Sequence, residues 1–204
     1  MGTRIAAILW LALWLPPSRG WLESDMALHM AVQIPLLATV GVLIAPSIGR
    51  HEPRWLAEAD WLGIPGLVLV LFSTSYWMLP VALDAALGDW RMEAAKFVGL
   101  PLLVGLPLGL SWRRMPPLGQ AFVLANFISK LGALGGLYLA APIRLCAYYR
   151  LDQQQEAGWV LIGLAAAVTF GVFLAAFCGW SWARPADQYP STSTTAWANS
   201  RGAS

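Results

Sequence analysis

Long apolar segments separated by short polar stretches run from the first residues of the chain to about residue 182. A bilayer hydrocarbon core about 30 Å thick requires roughly 20 apolar residues in a helix. Six segments meet or approach this length, and we expect each of them to be a transmembrane helix. They are residues 5–15 (extended to 21), 26–46, 61–79, 94–112, 118–141 and 158–182.

This pattern predicts an all-α, polytopic transmembrane helix bundle with about six helices in a single domain, residues 1–182. The remaining segment, 183–204, is rich in Ser, Thr and Ala and carries few charges. A segment of this composition cannot bury enough apolar surface to fold, so we expect a disordered tail.

The first apolar segment is short, follows Arg4 and ends at Pro16-Pro17. These features allow two interpretations: the core of a cleaved signal peptide, which would leave five helices, or an uncleaved first helix. Because no convincing small-x-small cleavage site follows the segment, the uncleaved helix is favoured.

The composition supports a membrane location. Hydrophobic residues make up 58% of the chain, charged residues only 12%, and the mean hydropathy is +0.59. A soluble domain carries about twice this share of charge, so the lipid bilayer is the expected solvent. The net charge of +2 is too small for a nucleic-acid partner, and none is expected.

The arginines between the spans predict the orientation, because basic residues accumulate on the cytoplasmic side. With the N-terminus in the cytoplasm, seven arginines lie on that side and four on the other. Both termini are then expected in the cytoplasm. The seven are Arg4, Arg50, Arg54, Arg113, Arg114, Arg184 and Arg201, and the four are Arg19, Arg91, Arg144 and Arg150.

The start of the second span carries the most informative spacing. Asp25, Met26, His29 and Met30 lie three or four residues apart, so they share one helical face. Thioether and imidazole groups suit Cu(I), with a carboxylate to orient the ring. Alternatively, His29 is held by Asp25 or Gln33 and the methionines only fill space. Two further methionines, Met78 and Met92, are expected on the same side of the membrane.

Lys130 lies in the middle of the fifth span, one turn after Asn126. A charge at this depth costs at least about 2.5 kcal/mol on insertion scales, which makes Lys130 a functional candidate. It either lines a polar path, pairs with Glu93 of a neighbouring helix, or extends toward the interface. Glu93 and Lys96, three residues apart, are a second pair expected on spacing alone.

Two segments resemble the CtaG-like cytochrome c oxidase assembly family, which consists of polytopic bacterial membrane proteins. One runs from Asp25 through His29-Met30 to Gln33 and continues into an apolar helix that ends at Ala45-Pro46. The other is Tyr149-Arg-Leu-Asp152-Gln153-Gln-Gln-Glu-Ala-Gly-Trp159, which is similar to that family's Asp-Gln segment at the start of a late helix.

The resemblance implies delivery of copper to the oxidase during its maturation. Gln33 stands where the family usually has a second histidine, so copper would need other ligands beside His29. These would come from Met26, Met30, Met78, Met92 or Cys146.

Together these observations favour a non-enzymatic assembly factor in the bacterial inner membrane that presents copper or a docking site to a cytochrome c oxidase subunit. The alternative is a small transporter or permease subunit with a polar path at Lys130 and Asn126. Because the topology places both resembling segments on one side, we expect His29 beside Asp152 and Gln153, with Asp25, Met26 and Met30 in the same cluster.

Overall fold

A computed structural model describes residues 2–51, 53, 58, 60 and 62–178 of the chain. Within these ranges the regular structure is helical, which confirms the all-α class. The eight helices are α1 (Gly2–Trp14), α2 (Pro16–Glu23), α3 (Met26–His51), α4 (Ile64–Trp77), α5 (Pro80–Gly88), α6 (Trp90–Ser111), α7 (Pro117–Ala140) and α8 (Leu151–Phe177). The predicted tail, residues 183–204, lies outside the described residues.

Four of the helices in this described part, α3, α6, α7 and α8, are each long and apolar enough to cross a membrane. The pairs α1–α2 and α4–α5 raise the number of spans to six if each pair counts as one. The chain is therefore a multi-pass helical membrane protein, as the apolar pattern predicts.

Both pairs are bent by 69°, so the first and third predicted spans are not straight helices. The bends fall at Leu15-Pro16 and Leu79-Pro80. Leu15 and Leu79 have extended backbones, with ψ of 135° and 133°. A residue before proline avoids the helical conformation for steric reasons, and the following proline then starts a new helix.

The helices alternate in direction, which gives the bundle two distinct ends. The end that holds Glu23, His29, Lys96 and Tyr149 is called the Glu23 end below. The opposite end, where the residues before α4 meet the end of α6, is called the Asp60 end. α1 packs antiparallel to α3, with Gly2 close to the backbone of Leu43.

Helices α3 and α6 approach each other with their backbones in contact. A Cβ atom on Gly41 would overlap the Pro101 carbonyl oxygen, and one on Gly105 would overlap the Ala38 carbonyl oxygen. Only glycine leaves room for this crossing, as is common between membrane helices. The crossing fixes α3 and α6 side by side, and both helices contribute residues to the Glu23 end.

Each of these two helices also contains one wide π-helical turn shortly before a proline. In α3 the turn covers His29–Gln33 and precedes Pro35. In α6 it covers Leu100–Gly105 and precedes Pro107. A proline inside a helix has no N–H to donate and crowds the carbonyl four residues earlier, and a π turn relieves that conflict.

A buried carboxylate, that of Asp60, holds the Asp60 end together, and no motif in the sequence points to it. Asp60 accepts hydrogen bonds from the Ser111 hydroxyl at 2.6 Å and from the Gly66 amide at 3.2 Å, and lies 3.3 Å from the Arg114 guanidinium. Gly63 adopts a left-handed conformation, φ 69°, just before α4. These contacts fix the start of α4 against the end of α6.

Two predicted boundaries are wrong. The last span begins at Leu151 rather than at residue 158, so Asp152, Gln153 and Glu156 belong to the first turns of α8 and not to a loop. The third predicted span, 61–79, continues past residue 79 into α5, which contains Asp84. A search for long apolar segments locates only the part of a helix that crosses the hydrocarbon core. It therefore does not include the polar residues in the first turns of a membrane helix.

Candidate functional site

Lys96 is the centre of a buried polar cluster at the Glu23 end. Its side chain is fully buried in α6. The ammonium donates to the Glu23 carboxylate at 2.7 Å and to the Gln33 amide oxygen at 3.1 Å, and lies 3.2 Å from His29 Nε2. A lysine ammonium has three N–H donors, and these three acceptors use all of them. We call Glu23, His29, Gln33, Lys96 and Tyr149 the Lys96 cluster.

The hydrogen bonds of His29 define its tautomer. The Tyr149 hydroxyl donates to the Glu23 backbone carbonyl at 3.1 Å, so its oxygen is free to accept from His29 Nδ1, 2.7 Å away. His29 Nε2 then accepts from Lys96. The ring is therefore neutral, with its proton on Nδ1.

Tyr149 lies in the segment before α8, where burial and the nearby Glu23 carboxylate raise the pKa of its phenol. The phenol therefore stays protonated and can donate. The tyrosine joins this segment to the start of α3 through one side chain.

Glu23 ends α2 and receives a second hydrogen bond, from the Gln33 amide nitrogen at 3.1 Å. Further charged side chains continue from Glu23 toward the surface. Arg19 lies 3.9 Å from Glu23 and 2.8 Å from Glu93. Arg19 and Lys96 thus balance Glu23 and Glu93, so this four-residue chain carries no net charge. Opposite charges in such proximity offset the cost of removing them from water.

The π turn of α3 places His29 and Gln33 in the cluster. Both residues are fully buried, and both lie within hydrogen-bond distance of Lys96. The bend between α1 and α2 brings the Glu23 carboxylate to the same lysine ammonium. Two local departures from a straight α-helix, each explained by a nearby proline, therefore converge on one lysine.

The structure brings the two resembling segments together at one end of the bundle. Tyr149 contacts His29, and the Gln153 amide donates to the Ser24 carbonyl at 3.1 Å. Asp152 is part of this end but points outward, where it pairs with Arg150 at 2.7 Å. Of the two α8 residues expected beside His29, only Gln153 thus reaches across to the start of α3.

Asp25 has a different role from the one expected. Its carboxylate accepts hydrogen bonds from the backbone amides of Ala27 and Leu28, at 2.8 and 3.1 Å. This is an N-cap of α3, and it satisfies amides that would otherwise lack partners. The ring of His29 is held by Tyr149 instead.

The four methionines do not gather around His29. Met26 and Met30 are buried in an apolar cluster with Cys146 and Tyr138, and Met78 packs against it. Met92 packs against a separate apolar cluster. The predicted thioether set is therefore divided between two clusters.

The arrangement around His29 does not fit a Cu(I) site. Both ring nitrogens are used by protein partners, and one of them faces an ammonium group that would repel a cation. The described part of the chain also contains no group of three or more His, Cys, Asp or Glu side chains able to hold a metal ion. Copper binding stays a prediction, and this geometry does not favour it.

Lys130 forms hydrogen bonds outside the Lys96 cluster. Its ammonium donates to the Leu71 carbonyl at 2.9 Å and to the Thr74 hydroxyl at 2.8 Å, which joins α7 to α4. Neither expected pairing of Glu93, with Lys130 or with Lys96, is present, because Glu93 contacts Arg19. These bonds give Lys130 a role in helix packing.

Sequence reasoning missed the importance of Glu23, Lys96 and Tyr149. Lys96 offered one signal, a cation inside a predicted apolar span. Its partner Glu23 lies 73 residues away, in a segment whose fold depends on the bend at Pro16.

No family model, no curated protein and no solved structure matches this chain. The resemblance to the oxidase assembly family thus rests on the two short segments alone. What the fold itself defines is a multi-pass helical membrane protein with a buried, charge-balanced cluster at one end.

Proposed function

We propose that this protein is a non-enzymatic assembly factor for a haem-copper cytochrome c oxidase in a bacterial inner membrane, and that an oxidase subunit docks at the Glu23 end. One observation carries the proposal. The segments 25–33 and 149–159, which hold the family resemblance, are far apart in the chain and meet in the structure at Tyr149 and His29.

The cluster beneath this end supports a docking role more than a catalytic one. All three donors of Lys96 and both nitrogens of His29 are engaged, so the cluster offers no free group for chemistry. Its effect is to hold α2, α3, α6 and the start of α8 in one arrangement. Arg150 and Asp152 are exposed at the surface of this end and are available to a partner.

The transporter alternative receives less support. Its two residues were Lys130 and Asn126. Lys130 is bound to α4 by two hydrogen bonds, and the cavity that Asn126 lines is formed mainly by apolar side chains. A path for a polar solute would need a row of polar groups, which this lining lacks.

Deleting the gene in its host tests the proposal. Assembled oxidase is quantified in isolated membranes by native gel electrophoresis and by oxygen consumption with reduced cytochrome c. We expect both to fall several-fold while oxidase subunits are still synthesised, and wild-type complementation to restore them. Normal oxidase levels in the deletion strain would refute the proposed function.

Two charge reversals then locate the docking surface. Asp152→Lys changes an exposed residue at the Glu23 end, and Arg50→Asp changes an exposed residue at the Asp60 end. We expect only Asp152→Lys to reduce assembled oxidase. Equal effects of the two variants, at equal protein levels, would contradict a docking surface at the Glu23 end.

A further inference from the structure

A large apolar cavity lies inside the bundle, between α3, α4, α6 and the α7–α8 hairpin. Its volume is about 660 Å³, within the range of about 300–1,000 Å³ typical of small-molecule sites. Its lining is almost entirely hydrocarbon. Pro35, Thr39 and Val42 of α3 line it and are partly exposed, so this face of α3 is not covered by another helix.

The cavity is elongated along α3. Helix α8 contacts α3 mainly through Met26–Leu28 and the π turn at the Glu23 end. Along α3 the lining extends from Met30 to Val42. These 12 residue steps correspond to roughly 18 Å at about 1.5 Å per residue. That length is close to the roughly 15 Å of one leaflet of the hydrocarbon core.

The lining points to a hydrocarbon chain as the occupant. Such a chain needs no polar partner along the cavity, and its length within one leaflet is close to the length of the lining on α3.

One end of the cavity carries a positive charge. Trp112 and Arg113, at the Asp60 end of α6, are among the lining residues. Arg113 is exposed, and no hydrogen bond or ion pair to it is found among the residues that the structure describes. Tryptophan and arginine at the end of a membrane span lie at headgroup level, where arginine pairs with phosphate.

We propose that the cavity binds an anionic membrane phospholipid, with one acyl chain between α3 and the α7–α8 hairpin and the phosphate at Arg113. The site is independent of the Lys96 cluster, from which it differs in depth, lining and charge. The bound lipid would fill the gap between the α7–α8 hairpin and the rest of the bundle.

Photolabelling tests this site directly. The purified protein is placed in nanodiscs that contain phosphatidylglycerol with a diazirine in the middle of one acyl chain. After irradiation, the labelled residues are identified by mass spectrometry. We expect labels concentrated on lining residues such as Thr39, Leu124 and Val168, at least fivefold above labelling by the matching phosphatidylcholine.

Two pairs of variants separate a bound lipid from the surrounding bilayer. Thr39→Trp fills the cavity, and Gly163→Trp adds the same side chain to an open face of α8, where an added Cβ meets no atom within 4 Å. Arg113→Gln removes the charge at the cavity, and Arg50→Gln removes an exposed charge at the same end. Labelling should fall at least fivefold in Thr39→Trp and threefold in Arg113→Gln, with little change in either control.

Uniform labelling of cavity and outer surfaces would overturn the proposal. So would equal labelling by the two lipids, or labelling insensitive to both Thr39→Trp and Arg113→Gln. If Thr39→Trp does not fold, the Arg113→Gln comparison and competition by unlabelled phosphatidylglycerol decide the question in the same way.

Discussion

Replacing Lys96 with methionine removes the donor that holds the Glu23 end together. The change keeps an unbranched side chain, shortens it by one atom and removes the ammonium group. Among the described residues, Gln33 Oε1 and His29 Nε2 then lose their only side-chain donor. The Glu23 carboxylate keeps one hydrogen bond, from Gln33, and the longer ion pair with Arg19 at 3.9 Å. A buried polar atom without a partner costs about 1–3 kcal/mol. Breaking a buried ion pair from one side costs about 3–5 kcal/mol.

We therefore expect Lys96→Met to lower the free energy of unfolding by about 3–5 kcal/mol, measured by reversible unfolding in mixed micelles. Arg91→Met is the control, because Arg91 lies on the same helix but is exposed over the Trp90 ring. Adding Glu23→Gln to Lys96→Met removes the carboxylate charge that has lost its nearest partner, and should recover part of the loss. A loss in Lys96→Met no larger than that of the control would refute the assigned role of the cluster.

Three further predictions concern other parts of the bundle. Gly105→Val should destabilise the protein by several kcal/mol, because the added side chain meets the α3 backbone; Gly132→Val, at an open position, should cost about 1 kcal/mol or less in the same unfolding assay. Lys130→Met should reduce the free energy of unfolding by about 1–3 kcal/mol through loss of two hydrogen bonds, and an unchanged value would contradict a packing role. Burial and the nearby Asp84 raise the pKa of the Cys146 thiol to about 12, so at pH 8 a maleimide should label exposed Cys178 at least 100-fold faster; comparable rates would contradict this burial.

The helical architecture could be predicted from the sequence because it depends on local apolar runs. Spans at α6 and α7 follow the predicted segments closely. The two 69° bends were harder to foresee. Several prolines lie inside apolar runs, and whether a given proline bends a helix, widens it into a π turn or begins it depends on what packs around it.

The candidate site could be predicted only in part. The sequence placed His29 and the Tyr149–Trp159 segment on one side of the membrane, and the structure joins them. It could not supply the pairing of Lys96 with Glu23, which depends on how α2 folds over α6. Spacing within one helix instead favoured Glu93 as the partner, but a residue three positions away competes with every acceptor that tertiary packing brings near.

The contact between the start of α3 and the start of α8 defines the Glu23 end, and cross-linking tests this contact directly. Gln153 donates to the Ser24 carbonyl at 3.1 Å, so the two positions are separated by little more than the length of one glutamine side chain. In a background with Cys146→Ser and Cys178→Ser, a short bifunctional thiol reagent applied to membranes should cross-link Ser24→Cys with Gln153→Cys rapidly and nearly completely. Pairing Ser24→Cys with a cysteine at Arg113, at the opposite end of the bundle, should give no intramolecular product. Failure of the first pair to cross-link, or equal cross-linking of both pairs, would contradict the proposed arrangement of the Glu23 end.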